Sequence, residues 1–152
     1  MSLDMAKYRR IFLEEAADHL GEMSHALLSL EKELAGAEAI DTLFRMAHSI
    51  KSMAASLGYD PIADLSHKME DRMEGARRAG RVRDSADLAV LFQALEALEA
   101  MVAAVADERD PNRADEGLLS LLACAGEASD AVASPTSISA EVEMINPKKV
   151  LS

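Results

Sequence analysis

The sequence predicts an all-α protein, an antiparallel four-helix bundle with a short fifth C-terminal helix. Three observations carry this. Among 152 residues, 28 are Ala and 19 are Leu, against 15 for Val, Ile and Thr together, and aromatics make up only 3%; this favours helices over pleated sheets. Apolar residues recur at spacings of three and four through four long segments. Glycines, and one Asp-Pro step, punctuate those segments where helices stop and restart.

The first helix is expected over residues 4–35, where Met5, Tyr8, Ile11, Phe12, Ala16, Leu20, Met23, Leu27, Leu30 and Leu34 form one apolar face. Gly36 ends it. A second helix starts at Asp41 or a neighbour, carries Leu43, Met46, Ile50, Ala54 and Leu57 inward, and stops at Gly58. Asp60-Pro61 opens the third, because Asp caps free N–H groups and Pro loses no bond at a first helical position. Its inward set is Ile62, Leu65, Met69, Met73 and Ala76, and Gly80 ends it. Asp84 or Ser85 caps the fourth, which continues through Leu88, Leu91, Phe92, Leu95, Leu98, Val102 and Val105 to Ala106. A charged loop containing Pro111 precedes the shorter fifth helix, expected from Asp115 to about Ala128 with Leu118, Leu119, Leu121 and Leu122. Residues 1–130 thus read as the bundle, and residues 131–152, with Ser134-Pro135-Thr136-Ser137 and Asn146-Pro147, as a flexible linker or appended tail.

Charge and cysteine usage narrow the function. Twenty-seven acidic and 16 basic residues give a net charge of −11, which opposes binding to a nucleic-acid backbone or an anionic membrane. Cys124 is the only cysteine, so no internal disulfide or cysteine zinc cluster forms, and a reducing, cytoplasmic setting is expected. Charged residues precede any apolar run, and no uncharged stretch approaches the roughly 18 residues of a membrane span. Neither export nor membrane insertion is expected. The glycines never fall in a Gly-x-Gly loop, so no phosphate cradle is visible and no nucleotide or other cofactor is expected on this chain.

Of four histidines, His48 has the most informative neighbours. At about 100° per residue, Asp41, Arg45, Lys51, Ser52 and Ala55 lie within roughly 60° of it, opposite the Leu43, Ile50 and Leu57 stripe. A neutral imidazole is a competent nucleophile near neutral pH, and a lysine one turn away can offset charge on an incoming phosphoryl group. Glu70 and His67 share a face of the third helix flanking Met69, bordering the seam with the second. A carboxylate there can accept a hydrogen bond from one ring nitrogen, fixing the tautomer and leaving the other lone pair outward.

The run Phe44-Arg45-Met46-Ala47-His48-Ser49-Ile50-Lys51, then Gly58-Tyr59, then Leu65-Ser66-His67-Lys68-Met69-Glu70-Asp71, resembles the histidine phosphotransfer (Hpt) domain of CheA-type chemotaxis kinases. The bundle pattern extends the resemblance over about residues 3–128. It implies that His48 is the phosphoacceptor, that Glu70 orients its ring, and that Lys51 and His67 complete the site. Arg45, Ser52, Ala55 and Tyr59 become candidate partner contacts. The implied partners are a CheA-type kinase catalytic domain, which uses ATP and Mg2+, and a CheY-like or CheB-like response regulator that receives the phosphoryl group on aspartate. Ser52 departs from the family, which usually has glycine directly after the lysine. Its hydroxymethyl either crowds the approach of partners or contacts a particular regulator.

Residues 41–78 contain six basic and six acidic side chains, whereas residues 84–130 hold Arg109 and Arg113 against eleven acids. The neutral half carries His48, so an acidic regulator pocket meets less repulsion there. Two rival readings stand beside the relay. Glu22-x-x-His25 has the Glu-x-x-His spacing of di-iron bundles, with Asp64-x-x-His67 a poor second copy, although helix two offers no interior glutamate. Alternatively, the chain is a silent adaptor that binds a regulator without using His48.

Overall fold

The computed structural model describes the backbone of residues 2–131 and the side chains of residues 5–123. Five helices follow one another: α1 (Ser2–Lys32), α2 (Ala37–Leu57), α3 (Asp60–Ala79), α4 (Ser85–Ala106) and α5 (Glu116–Ala131). Helix α2 packs on α1 and α3, and α4 packs on α3 and α1, closing an up-and-down ring. No strand occurs among the described residues. The tail expected over 131–152 lies outside the described residues beyond Ala131. Packing divides the chain after Leu122: residues 1–122 form the bundle, and of the rest only the continuation of α5 to Ala131 is described.

The predicted stripes fill the core. Phe12, Met23, Leu27 and Leu30 of α1 meet Ile40, Leu43 and Ile50 of α2, Ile62, Leu65, Met69 and Met73 of α3, and Leu91 of α4, all essentially without solvent contact. Each such side chain contributes about 1.5–3 kcal/mol by leaving water. The beginning of the α1 stripe behaves differently, since Met5, Tyr8 and Ile11 are exposed. Helix α1 has 31 residues and its partners 20 to 22, so its first turns have less bundle to lie on. Leu121 is likewise exposed while Leu118, Leu119 and Leu122 are buried.

Helix α4 is long and apolar enough to cross a membrane by length and composition, but half of its apolar window is buried inside the bundle.

The termini explain where the sequence reading shifts by a few residues. Helix α2 begins at Ala37, four residues before Asp41, with Gly36 as N-cap and its carbonyl accepting from the Ile40 N–H at 3.0 Å. The Ala-Glu-Ala start has no side-chain cap to announce it, yet it has high helix propensity and an acid at the positive end. Asp41 therefore sits inside the helix, free to pair. The α2 stop falls where expected: Gly58 takes φ +81°, and the Tyr59 N–H donates to Ala54 O at 2.9 Å, a left-handed cap that glycine adopts without strain. At the start of α3 the cap position is Tyr59, one residue before Asp60. Asp84 caps α4 as expected, its side chain accepting from the Asp87 N–H at 2.9 Å.

Two anchors were not visible in the sequence. Val82, in the α3–α4 link, is buried and its N–H donates to Leu34 O at 2.8 Å, tying that link to the α1–α2 link. Arg72 of α3 is buried, its Nη1 donating to the carbonyls of Leu121 and Leu122 and its Nη2 to Asp87. That side chain joins α3, α4 and α5.

Candidate functional site

His48 lies on the outer side of α2 because its neighbours Ala47 and Ile50 take the buried positions. Glu70 lies on α3 next to the buried Met69, at the edge of the seam. The short Gly58-Tyr59 link turns α3 back along α2 and brings these positions together. His48 Nδ1 and Glu70 Oε2 are 2.7 Å apart. On the other carboxylate oxygen, Lys51 Nζ stands 2.6 Å from Oε1. The His48 side chain is 55% exposed and that of Glu70 only 12%, so a shielded carboxylate holds an accessible ring.

An ionised carboxylate only accepts, so Nδ1 carries the hydrogen and a neutral ring keeps its lone pair on Nε2. Partial burial pushes the Glu70 carboxyl up, but hydrogen bonding and charge from Lys51 and His48 outweigh it and hold the group below its ordinary value of 4.5. The ionised state thus stabilises the fold at neutral pH. That contribution is complete above the unfolded value and disappears as pH falls through the lowered folded one.

Lys51 has a more specific place than the sequence suggested. Its ammonium is paired with Glu70, so it favours the ionised state of that carboxylate as well as adding positive charge beside the ring. His67 is exposed and stands apart from this triad, with Nε2 3.6 Å from Asp71 Oδ2. With Lys51, Asp60, Pro61, Ala63, Asp64 and Arg113 it lines an open groove of about 620 Å³. Ser52 and Ala55 are exposed on the α2 surface. Tyr59 is partly buried, its ring centroid 5.2 Å from that of Phe12.

The structure also brings in residues to which the sequence gave no role in the site. Asp41 accepts from Arg45 Nε at 2.8 Å and lies 3.7 Å from Arg77 Nε of α3. Arg77 lays its guanidinium over the Phe44 ring, 4.4 Å from the centroid. Its spacing of seven from Glu70 was a usable signal, because two turns return a residue to the same helix face.

Among the described residues no group of three or more His, Cys, Asp or Glu side chains is placed to hold a metal ion. Glu22 and His25 instead border a groove with Glu33, Glu38 and Thr42, without the further ligands a di-iron bundle requires.

Comparison with known proteins agrees with the geometry. The Hpt domain model matches residues 7–108. Chemotaxis protein CheA of Bacillus subtilis is 34% identical over 93 residues, covering 61% of this chain and 14% of that protein. The CheA proteins of Salmonella typhimurium and Halobacterium salinarum are 36% and 30% identical over 92 and 91 residues, each match covering 60% of this chain and 14% of the relative. The chain therefore spans only a small part of the length of these relatives. Four ringed helices, a histidine held by glutamate across the α2–α3 seam and a family match over most of the bundle lead to one conclusion: this chain belongs to the Hpt domain family, in the form that CheA-type chemotaxis kinases carry.

Proposed function

We propose that His48 takes a phosphoryl group from ATP held by a separate CheA-type kinase domain and passes it to an aspartate on a CheY-like or CheB-like response regulator. The observation that carries this reading is the 2.7 Å contact from His48 Nδ1 to Glu70 on a half-exposed ring. The Nε2 lone pair attacks the γ-phosphorus, the bond to the bridging oxygen breaks, and ADP leaves with that electron pair. The new N–P bond places positive charge on the ring, and Glu70 stabilises the proton retained at Nδ1. In the second step a regulator carboxylate oxygen attacks phosphorus and the electron pair returns to Nε2. Glu70 then holds the same tautomer it held at the start.

Lys51 keeps Glu70 ionised throughout, and His67 borders the groove beside it, where a partner surface passes. Magnesium and nucleotide belong to the partner domains on this reading, and the relay works in the cytoplasm. On this reading residues 1–130 constitute the relay domain and residues 131–152 a linker or an appended tail.

Incubating the chain with magnesium and labelled ATP, with and without a CheA-type kinase domain, tests the relay. Label is expected only when the kinase domain is present, in a bond that is acid-labile and alkali-stable as a phosphoramidate should be. Label acquired from ATP alone, or acid-stable label, contradicts the assignment.

Glu70→Gln separates orientation from folding. An amide both donates and accepts, so it no longer enforces the hydrogen on Nδ1, and Lys51 loses its counter-charge. Phosphorylation should slow about 10- to 100-fold, the cost typical of lost orienting partners of histidine ligands. Helicity at neutral pH should remain, while the part of the acid-side stability loss that comes from protonating Glu70 should vanish. Unaltered kinetics would remove Glu70 from the mechanism.

A further inference from the structure

We infer that the α2–α3 seam carries a second polar rung, Asp41 and Arg77 with Arg45 beside them, and that this rung docks an acidic face of the receiving regulator. The inference rests on the relay proposed above and names the partner surface that the relay uses. Asp41 precedes His48 by seven residues and Arg77 follows Glu70 by seven. On antiparallel neighbours these are displacements of two turns in the same spatial direction, so the second rung lies about 10 Å along the seam from the first.

The rung is held in place from several sides. Arg45 Nε donates to Asp41 Oδ2 at 2.8 Å, and Arg77 Nε stands 3.7 Å from Asp41 Oδ1. Glu74 receives Arg77 Nη1 at 3.4 Å, and the Phe44 ring supports the guanidinium plane from below. Arginine ordinarily loses much rotamer freedom on binding, and a guanidinium already fixed by ring and carboxylates loses less. Arg45, Arg77 and Arg78 are nonetheless exposed. For Arg45 the contact with Asp41 runs through Nε, and no partner is found for its Nη groups among the described residues.

Charge decides what fits. Three guanidinium groups, of Arg45, Arg77 and Arg78, face two carboxylates, Asp41 and Glu74, on a chain whose net charge is −11. On the proposed relay the receiving group is an aspartate carboxylate, so the regulator approaches this seam carrying negative charge. A point about 10 Å away lies beyond the transferred group, so the rung meets the body of the regulator rather than the phosphoryl oxygens. Holding α2 against α3 does not require it, because Leu43 and Ile50 already pack against Ile62, Leu65 and Met69 in a shared core, and exposed ion pairs add little stability.

The test loads His48 with the kinase domain and magnesium ATP, repurifies the phosphoprotein and follows transfer to a CheY-type receiver domain by rapid quench at several salt concentrations. Arg77→Gln should lower kcat/KM about fivefold through KM and flatten the salt dependence, as expected for a steering charge. Arg77→Lys should recover most of the loss, and Arg45→Gln with Arg77→Gln should lose about tenfold or more. Wild-type kcat/KM and salt slope in Arg77→Gln overturn the inference, as does a loss confined to kcat or one that tracks a fall in thermal midpoint. An equal loss in the kinase labelling step assigns the rung to the kinase and overturns the regulator assignment. If the unsubstituted chain takes label but passes none to any receiver, the relay reading itself fails and the rung's role falls with it.

Discussion

His48→Gln should reduce phosphoryl incorporation to background, a loss of at least about 10³-fold on the scale that removing a nucleophile has in other enzymes. Glutamine occupies a similar volume and can still donate to Glu70, but it offers no basic nitrogen to attack phosphorus. The side chain is half exposed and carries none of the core, so the thermal midpoint should barely move, in keeping with surface substitutions costing within about 0.5 kcal/mol. None of the other histidines repeats the arrangement. His19 and His67 each face a carboxylate one turn away through Nε2, at 3.9 and 3.6 Å, and His25 is exposed without an ion pair among the described residues. Full incorporation in the variant would point to another phosphoacceptor, which peptide mapping of the label would locate.

The bundle was legible because its helices are written in a period of 3.6 with glycine at their ends. Gly58 and Gly80 stop α2 and α3 as expected, both at positive φ. The seam between His48 and Glu70 was legible for a related reason: His48 and Lys51 share one helix face, Glu70 borders another, and a two-residue link brings the faces together. What stayed hidden depends on interactions across the fold. The helical period places Arg72 beside the apolar stripe, seven residues from Leu65 and three from Met69, but the partners that make its burial tolerable, Asp87 and two carbonyls of α5, lie far along the chain. The fate of Met5, Tyr8 and Ile11 depends on the lengths of α2 and α4, which the α1 pattern does not encode. The start of α2 was misplaced because Asp41 has the chemistry of a cap, and only the structure shows it spent on Arg45 and Arg77 instead.

Asp87→Ala should be far more destabilising than Arg72→Met, although the two residues form one ion pair. The Arg72 side chain is 5% exposed and that of Asp87 12%. Removing the aspartate leaves a buried guanidinium with only the neutral carbonyls of Leu121 and Leu122, each 3.1 Å from Nη1, for compensation. Stranding a buried charge in this way costs about 3–5 kcal/mol. It also strips an acid from the first turn of α4, where the helix dipole favours one. The midpoint should fall by about 10–15 °C for a chain of this size. Arg72→Met removes the charge together with its desolvation cost and fills most of the space with an apolar chain. Asp87 then still has Arg83 Nη2 at 3.2 Å, and the α5 carbonyls lie within a helix rather than at its end. Such replacements of buried ions by apolar groups of similar size are often neutral or stabilising, so the midpoint of Arg72→Met should stay within a few degrees of the wild type. Thermal denaturation followed by circular dichroism checks the order. Equal losses in the two variants would mean that the attraction between the two charges outweighs the cost of burying Arg72.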